Sequence, residues 1–263
     1  MIPKIIHYCW FGGNEKSEFI LRCMESWKFY LPDYEIVEWN ETNFNIELNI
    51  FIKEAYSKKK WAFVSDYVRA YALYNCGGIY LDTDVEIRRS LDSFLEHDAF
   101  SGFETTGFPF TAVWGARKNH NWCQQILKYY DNQTVFSDIT NTKIVSDFLV
   151  DNYKIDPLKN ELQNLGDGIC IYPSNYFCMN IEKNYAIHHF QGSWLEDNSN
   201  NNNSHLIKAF YKENFFSYYN KKQMLNDLYA DNIFNLKDLV YFILKRMSKS
   251  AKNEFRKLIQ FKQ

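Results

Sequence analysis

The chain has 263 residues, 46% of them hydrophobic and 18% aromatic, enough apolar mass to bury a large core and to exclude wholesale disorder. Its length suits one large domain with a small appendage. The formal net charge of −2 argues against nucleic acid as a partner, since duplex binding normally needs a basic face. Six cysteines (Cys9, Cys23, Cys76, Cys123, Cys170, Cys178) are scattered without a C-x-x-C pair. Several lie in apolar runs, as buried free thiols do, so a reducing compartment is expected and a structural zinc site is not. The start Met1-Ile2-Pro3-Lys4 lacks a signal-peptide pattern, and no apolar run is long enough to span a membrane. A cytoplasmic location is therefore expected.

Ile2 to Phe11 reads as an aromatic-rich strand running into Gly12-Gly13. The phosphate-cradling pattern G-x-G-x-x-G is absent, so neither a dinucleotide fold nor a P-loop is indicated. Ser17 to Tyr30 carries Phe19, Ile20, Cys23, Trp27 and Tyr30 at helical spacing, and Leu31-Pro32-Asp33 ends that helix. Tyr34 to Trp39 alternates apolar and acidic residues as a strand does, with Asn40 at its C-terminal end. The β-α-β order predicts a parallel sheet.

Trp61 to Glu86 is the organising stretch. Nothing from Ala62 to Cys76 breaks a helix, and Tyr67, Ala70, Tyr71 and Tyr74 share one face while Asp66 and Arg69 share another. Asn75, Gly77 and Gly78 stop the helix. Ile79-Tyr80-Leu81 is then a buried strand, and Asp82-Thr83-Asp84 stands at its end, where open α/β sheets bind ligands. Regular strand geometry would send the two carboxylates to opposite faces. A turn at the strand end lets both approach one hard cation, Mn²⁺ or Mg²⁺. A bare D-x-D is a weak motif; the preceding Asp/Arg helix, the glycine pair and the apolar strand are what strengthen it.

Beyond it, Val85 to Leu95 leaves the site, Asp98 to Gly102 is strand-like, and Phe110 to Gly115 is a buried strand. Asn119 is the expected N-cap of a helix from Trp122 to Tyr130, and a further helix, Lys143 to Val150, contains Asp147. The polar run Asn198 to Ser204 reads as a loop. From Lys237 to Gln263 eight Lys/Arg face only Asp238 and Glu254, a local charge of +6 interleaved with apolar residues. Such a segment is either a basic amphipathic helix resting on an anionic membrane or a solvated helix packed on the catalytic domain.

Ser65, Asp66, Arg69, Leu73, Gly77, Gly78, Tyr80, Leu81, Asp82 and Asp84 match every position of S-D-x-x-R-x-x-x-L-x-x-x-G-G-x-Y-L-D-x-D. This resembles the sugar-binding region of D-x-D glycosyltransferases, notably the yeast-type initiating α-1,6-mannosyltransferases and the bacterial capsular polysaccharide glycosyltransferases. The glucosylating domains of large clostridial toxins are more distant cousins. The resemblance implies a glycosyltransferase A-type α/β fold, Rossmann-like, with a mostly parallel central sheet flanked by helices. The expected division is a catalytic domain over 1–205 and a helical, basic C-terminal extension over 206–263.

By the same resemblance, I-P-K-I-I-H-x-x-W is the family's opening strand, which brings His7 and Trp10 to the nucleotide base; core positions for both remain the alternative. Ile169 to Phe177 resembles the late strand-and-proline segment that shapes the donor pocket. Asp66, Arg69, Asp82 and Asp84 are the expected catalytic residues. His7, Trp10, Asp66, Arg69, Tyr80, Asp82 and Trp194 are the expected donor-binding set, and Glu104 and Asn119 stand near strand ends that could face the sugar. Ala186 to Trp194, AIHHFQGSW, resembles the closing segment of related retaining enzymes, in which a histidine completes the metal's coordination. His189 fits that spacing and joins Asp82 and Asp84 as the expected ligands of Mn²⁺ or Mg²⁺, whereas His188 would point the other way along a strand unless the register reverses the two. The implied activity is metal-dependent, retaining transfer of a hexose from a nucleotide sugar, UDP-linked by preference. The acceptor would be a glycan, lipid-linked if the basic segment 237–263 touches the inner face of the cytoplasmic membrane, in capsule or surface polysaccharide synthesis. A toxin-like transferase acting on protein and a non-catalytic nucleotide-sugar or glycan binder are the alternatives. The intact D-x-D argues against the last.

Overall fold

In the computed structural model, which describes residues 1–181 and 183–191, the elements in chain order are as follows. They are β1 (Ile5–Cys9), α1 (Glu18–Tyr30), β2 (Glu35–Trp39), α2 (Ile50–Ser57), α3 (Trp61–Cys76), β3 (Gly78–Leu81), β4 (Val85–Ile87), β5 (Ala99–Gly102), β6 (Val113–Ala116), α4 (Asn121–Asp131), α5 (Asn141–Tyr153), β7 (Gln163–Asn164), β8 (Ile169–Tyr172), α6 (Ser174–Phe177) and β9 (Ala186–His188). Trp194, the 205/206 boundary and the basic stretch 237–263 lie outside the described residues.

The strands form a seven-stranded sheet in the order β2-β1-β3-β6-β5-β8-β7 and a two-stranded one, β4-β9. Within the larger sheet β6 and β7 run against the other five. The expected α/β class with a mostly parallel sheet is therefore present. Parallel β1, β2 and β3 bring their C-terminal ends to one edge, with Cys9 opposite Trp39 and His7 opposite Tyr80.

Alternation along these strands feeds two cores, as period-two geometry requires. Ile6, Tyr8, Ile79 and Leu81 enter one with Met24 and Trp27 of α1; Cys9 and Tyr80 enter the other with Phe63, Val64, Val68 and Leu73 of α3. Trp27 is fully buried and donates its indole N–H to Val85 O at 2.7 Å. Burial of an aromatic this large contributes about 3 kcal/mol, and the bond ties α1 to the segment just after the aspartates. Ser26 Oγ adds a second tie, accepting from Ile87 N–H at 2.9 Å.

Local chemistry sets the element ends. Ser17 caps α1 by accepting from Ile20 N–H, worth about 1 kcal/mol. Asn49 does the same for α2 through Ile52 N–H at 2.9 Å. Helix α4 is capped by His120 instead of Asn119. Asn119 takes a left-handed φ of 59° and donates its N–H to Tyr74 O near the C-terminal end of α3, away from Asp66. After α3, Gly77 and Gly78 have φ of +71° and +122°. A Cβ on Gly78 would lie 2.6 Å from Ile5 O and 2.9 Å from His7 Nε2, so the chain can pass from α3 into β3 here only without a side chain. Among the described residues no helix is long and apolar enough to cross a membrane.

Candidate functional site

Strand β3 delivers Asp82 to the C-terminal edge and then turns. Asp82 N–H donates to Ala112 O and Val85 N–H donates back to Asp82 O, each at 3.0 Å. That turn removes the opposite-face problem of a D-x-D on a regular strand. Asp84 is buried, and Gln191 N–H donates to its Oδ2 at 2.8 Å. Strand β4 then pairs antiparallel with β9, placing Val85 opposite His188.

Asp66, Arg69 and Asp82 come together as a linked set. One terminal nitrogen of Arg69 lies 2.9 Å from Asp66 Oδ1 and 3.1 Å from Asp82 Oδ1. The guanidinium rests 4.6 Å from the centre of the Tyr80 ring, a cation–π platform. Burial opposes the charge on Arg69, but Asp82, Tyr80 and Asp66 more than offset that and raise its pKa. The Asp66 carboxyl is pushed up to about 7, chiefly by burial and further by Asp82, with Arg69 pulling the other way.

The histidine beside the aspartates is His188. Donor atoms of Asp82, Asp84 and His188 lie within 4.8 Å of one another, and His188 Nε2 is 3.5 Å from Asp84 Oδ1. His188 Nδ1 is buried and has no hydrogen-bond partner among the described residues. Two carboxylates and an imidazole, one donor atom from each, fit a divalent cation of the Mn²⁺ or Mg²⁺ kind. His189, the expected ligand, instead sends Nε2 to Glu86 Oε2 at 3.0 Å and packs edge-on against Phe19. The register of the β4-β9 ladder decides which histidine faces in, and only an observed pairing fixes that register.

The remaining expected residues divide. His7 is 1% exposed; its Nε2 donates to Gly77 O at 2.8 Å, and its Nδ1 accepts from Trp39 Nε1 at 3.1 Å. With both nitrogens spent it braces the glycine turn and has nothing left for a ligand, so its place is in the core. Tyr80 is likewise buried and carries the Arg69 guanidinium on its ring. Trp10 and Asn40 line a cleft of about 610 Å³ at the ends of β1 and β2, together with Lys16 and Glu38. Lys16 lies 5.1 Å over the Trp10 ring and bonds Glu38 at 2.9 Å.

Glu104, just beyond β5, does reach the site: its Oε2 is 4.0 Å from His188 Nδ1. Burial raises its pKa, with Asp82 and Asp84 adding to the rise and His188 and Thr142 opposing it. Asn119 does not reach the site. Sequence reasoning missed Glu86 and the Gln191 backbone; the alternation Val85-Glu86-Ile87 was the available signal that Glu86 stands on a strand face of its own.

A family model described as "Glycosyltransferase sugar-binding region containing DXD motif" matches residues 17–101. The chain is 30% identical over 200 residues to an uncharacterized glycosyltransferase of Acanthamoeba polyphaga mimivirus, covering 67% of this chain and 75% of that one. It is 32% identical over 135 residues to inositol phosphoceramide mannosyltransferase 3 of Schizosaccharomyces pombe, covering 48% of this chain and 36% of that protein. The match thus spans about a third of the yeast relative. Among solved structures, the PaToxG glycosyltransferase is similar at 17% identity, covering 57% of this chain and 68% of that one, with a TM-score of 0.45.

Proposed function

This chain belongs to the glycosyltransferases whose sugar-binding region contains a DXD motif, and from that premise we propose that it moves a hexose from a nucleotide sugar, UDP-linked by preference, to a glycan acceptor with retention of anomeric configuration. The observation that carries the reading is the approach of Asp82, Asp84 and His188 to within 4.8 Å of one another, beside the buried Asp66–Arg69 pair.

Asp82, Asp84 and His188 would hold Mn²⁺ or Mg²⁺. Bound there, the cation would supply Lewis-acid stabilisation of the charge that develops on the departing nucleoside diphosphate. Arg69 keeps its positive charge despite burial and fixes the direction of Asp82. Asp66 offers its second oxygen to the sugar's hydroxyls, held in place by the same guanidinium. The cleft beside Trp10 and Asn40 has room for the nucleoside.

The wider setting of the proposal is capsular or surface polysaccharide synthesis at the inner face of the cytoplasmic membrane. Its support is the +6 charge of residues 237–263, which suits an anionic surface, and the yeast relative's name, which joins mannosyl transfer to a phosphoceramide. A catalytic part over 1–205, with Trp194 among its donor-binding residues, and a basic extension over 206–263 complete it.

The test is donor hydrolysis. Incubated with UDP-glucose, UDP-galactose, their N-acetyl forms or GDP-mannose in Mn²⁺, the protein should release the nucleoside diphosphate from one of them, and EDTA should stop the release. A folded protein that cleaves none of them with Mn²⁺, and transfers to no glycan, would contradict the proposal.

A further inference from the structure

The two ring nitrogens of His188 have different neighbours. Nε2 lies 3.5 Å from Asp84 Oδ1, while Nδ1 lies 4.0 Å from Glu104 Oε2. Among the described residues Nδ1 is buried without a hydrogen-bond partner, a condition that folded proteins seldom leave uncompensated. Among the described residues the Glu104 carboxylate is the acidic group beside Nδ1. It is held from its own strand end: Glu104 N–H donates to Phe108 O at 2.9 Å, and Thr142 Oγ1 donates to Oε2 at 3.4 Å. A shift of about 1 Å brings the carboxylate within hydrogen-bond distance of Nδ1.

Metal-ligating histidines almost always give their second ring N–H to a carboxylate or carbonyl, which fixes tautomer and aim. Resting on the metal-site reading above, we infer that Glu104 is the positioning residue of this site: its carboxylate accepts the Nδ1–H of His188, leaves the Nε2 lone pair free, and aims that lone pair at the space beside Asp84. Glu104 does not itself bind the cation.

The test is Mn²⁺ alone, titrated into the full chain and followed by the paramagnetic resonance signal of the free ion. Wild type, Glu104→Gln, Glu104→Ala, His188→Ala, Asp84→Asn and the double variant His188→Ala/Glu104→Ala are compared, each checked for folding by its melting curve. Glu104→Ala should weaken Mn²⁺ binding about 10- to 100-fold, and Glu104→Gln, which keeps an acceptor oxygen, should weaken it less. In the His188→Ala background the loss of Glu104 should cost nothing further, because its effect runs through that ring. Glu104→Ala binding as tightly as wild type, while Asp84→Asn does not bind, would overturn the inference and leave the metal site standing. An equal loss from Glu104→Ala with and without His188 would also overturn it. No Mn²⁺ uptake by wild type would overturn the metal-site reading, and this inference with it.

Discussion

Arg69 and Asp82 join helix α3 to the end of strand β3: a terminal guanidinium nitrogen lies 3.1 Å from Asp82 Oδ1 while also serving Asp66 Oδ1 at 2.9 Å. Both members of the Asp66–Arg69 pair are under a tenth exposed. Removing one partner of a buried ion pair leaves the other charge uncompensated. Arg69→Met should therefore destabilise the protein by about 3–5 kcal/mol, seen as a lower denaturation midpoint in urea. An unchanged midpoint would mean the pair is not closed in solution.

Asp66 makes stability depend on pH. Its carboxyl is raised to about 7 in the fold, from 3.8 in the reference state, mainly by burial. A raised folded pKa means that the native state binds the proton more tightly. The resulting stability is fully present below about pH 4 and is lost as pH rises toward about pH 7. In EDTA, wild type should lose stability relative to Asp66→Asn across that window, by at most about 1.4 kcal/mol per pH unit. A difference that stays flat from pH 4.5 to pH 7 would refute the assignment.

Asp84→Asn should keep the fold and lose the chemistry. The site's own carboxylates repel one another, so the melting temperature without metal should stay the same or rise. Transfer should fall by about 10²- to 10³-fold, the scale on which one electrostatic stabiliser acts. Near-wild-type turnover in a folded Asp84→Asn protein would remove this residue from the metal site.

Gly78→Ala tests the turn that feeds β3. The added Cβ would meet Ile5 O at 2.6 Å at a φ of +122°, so backbone or the His7 ring must move. A loss of about 1–3 kcal/mol is expected, measured by chemical denaturation. An alanine variant as stable as wild type would show that the turn tolerates a side chain.

Much of this arrangement was legible because it is local. Helix α3, the glycine stop and the short strand of Tyr80 follow from spacing, from breakers and from one apolar run, and all lie within a few residues of expectation. The apolar spacing from Phe19 to Tyr30 gave α1 in the same way. Long-range pairing was not legible. The reversal of β6 between β3 and β5 is a matter of topology, and no residue in Val113–Ala116 encodes it. The exchange of His189 for His188 has the same origin: a ladder with residues 85–87, distant in sequence, decides which ring turns inward. The resemblance put His7 near the nucleotide base, with a core position as the alternative; two partners far away in the chain, Trp39 and Gly77, use both of its nitrogens. Asn119 failed as a cap because its neighbour His120 accepts the Trp122 N–H.

The most direct test of the central claim is a thermal-shift screen of UDP, GDP, CMP and dTDP, each with Mn²⁺ and with EDTA. A ligand that binds only the native state raises the melting temperature by mass action, on the order of 5 °C at a hundredfold excess over Kd. The account predicts such a rise with one nucleoside diphosphate in Mn²⁺, UDP by preference, abolished by EDTA and absent in Asp84→Asn. A rise that is equal in EDTA, or no rise with any of the four, would contradict a metal-bridged nucleotide-sugar site.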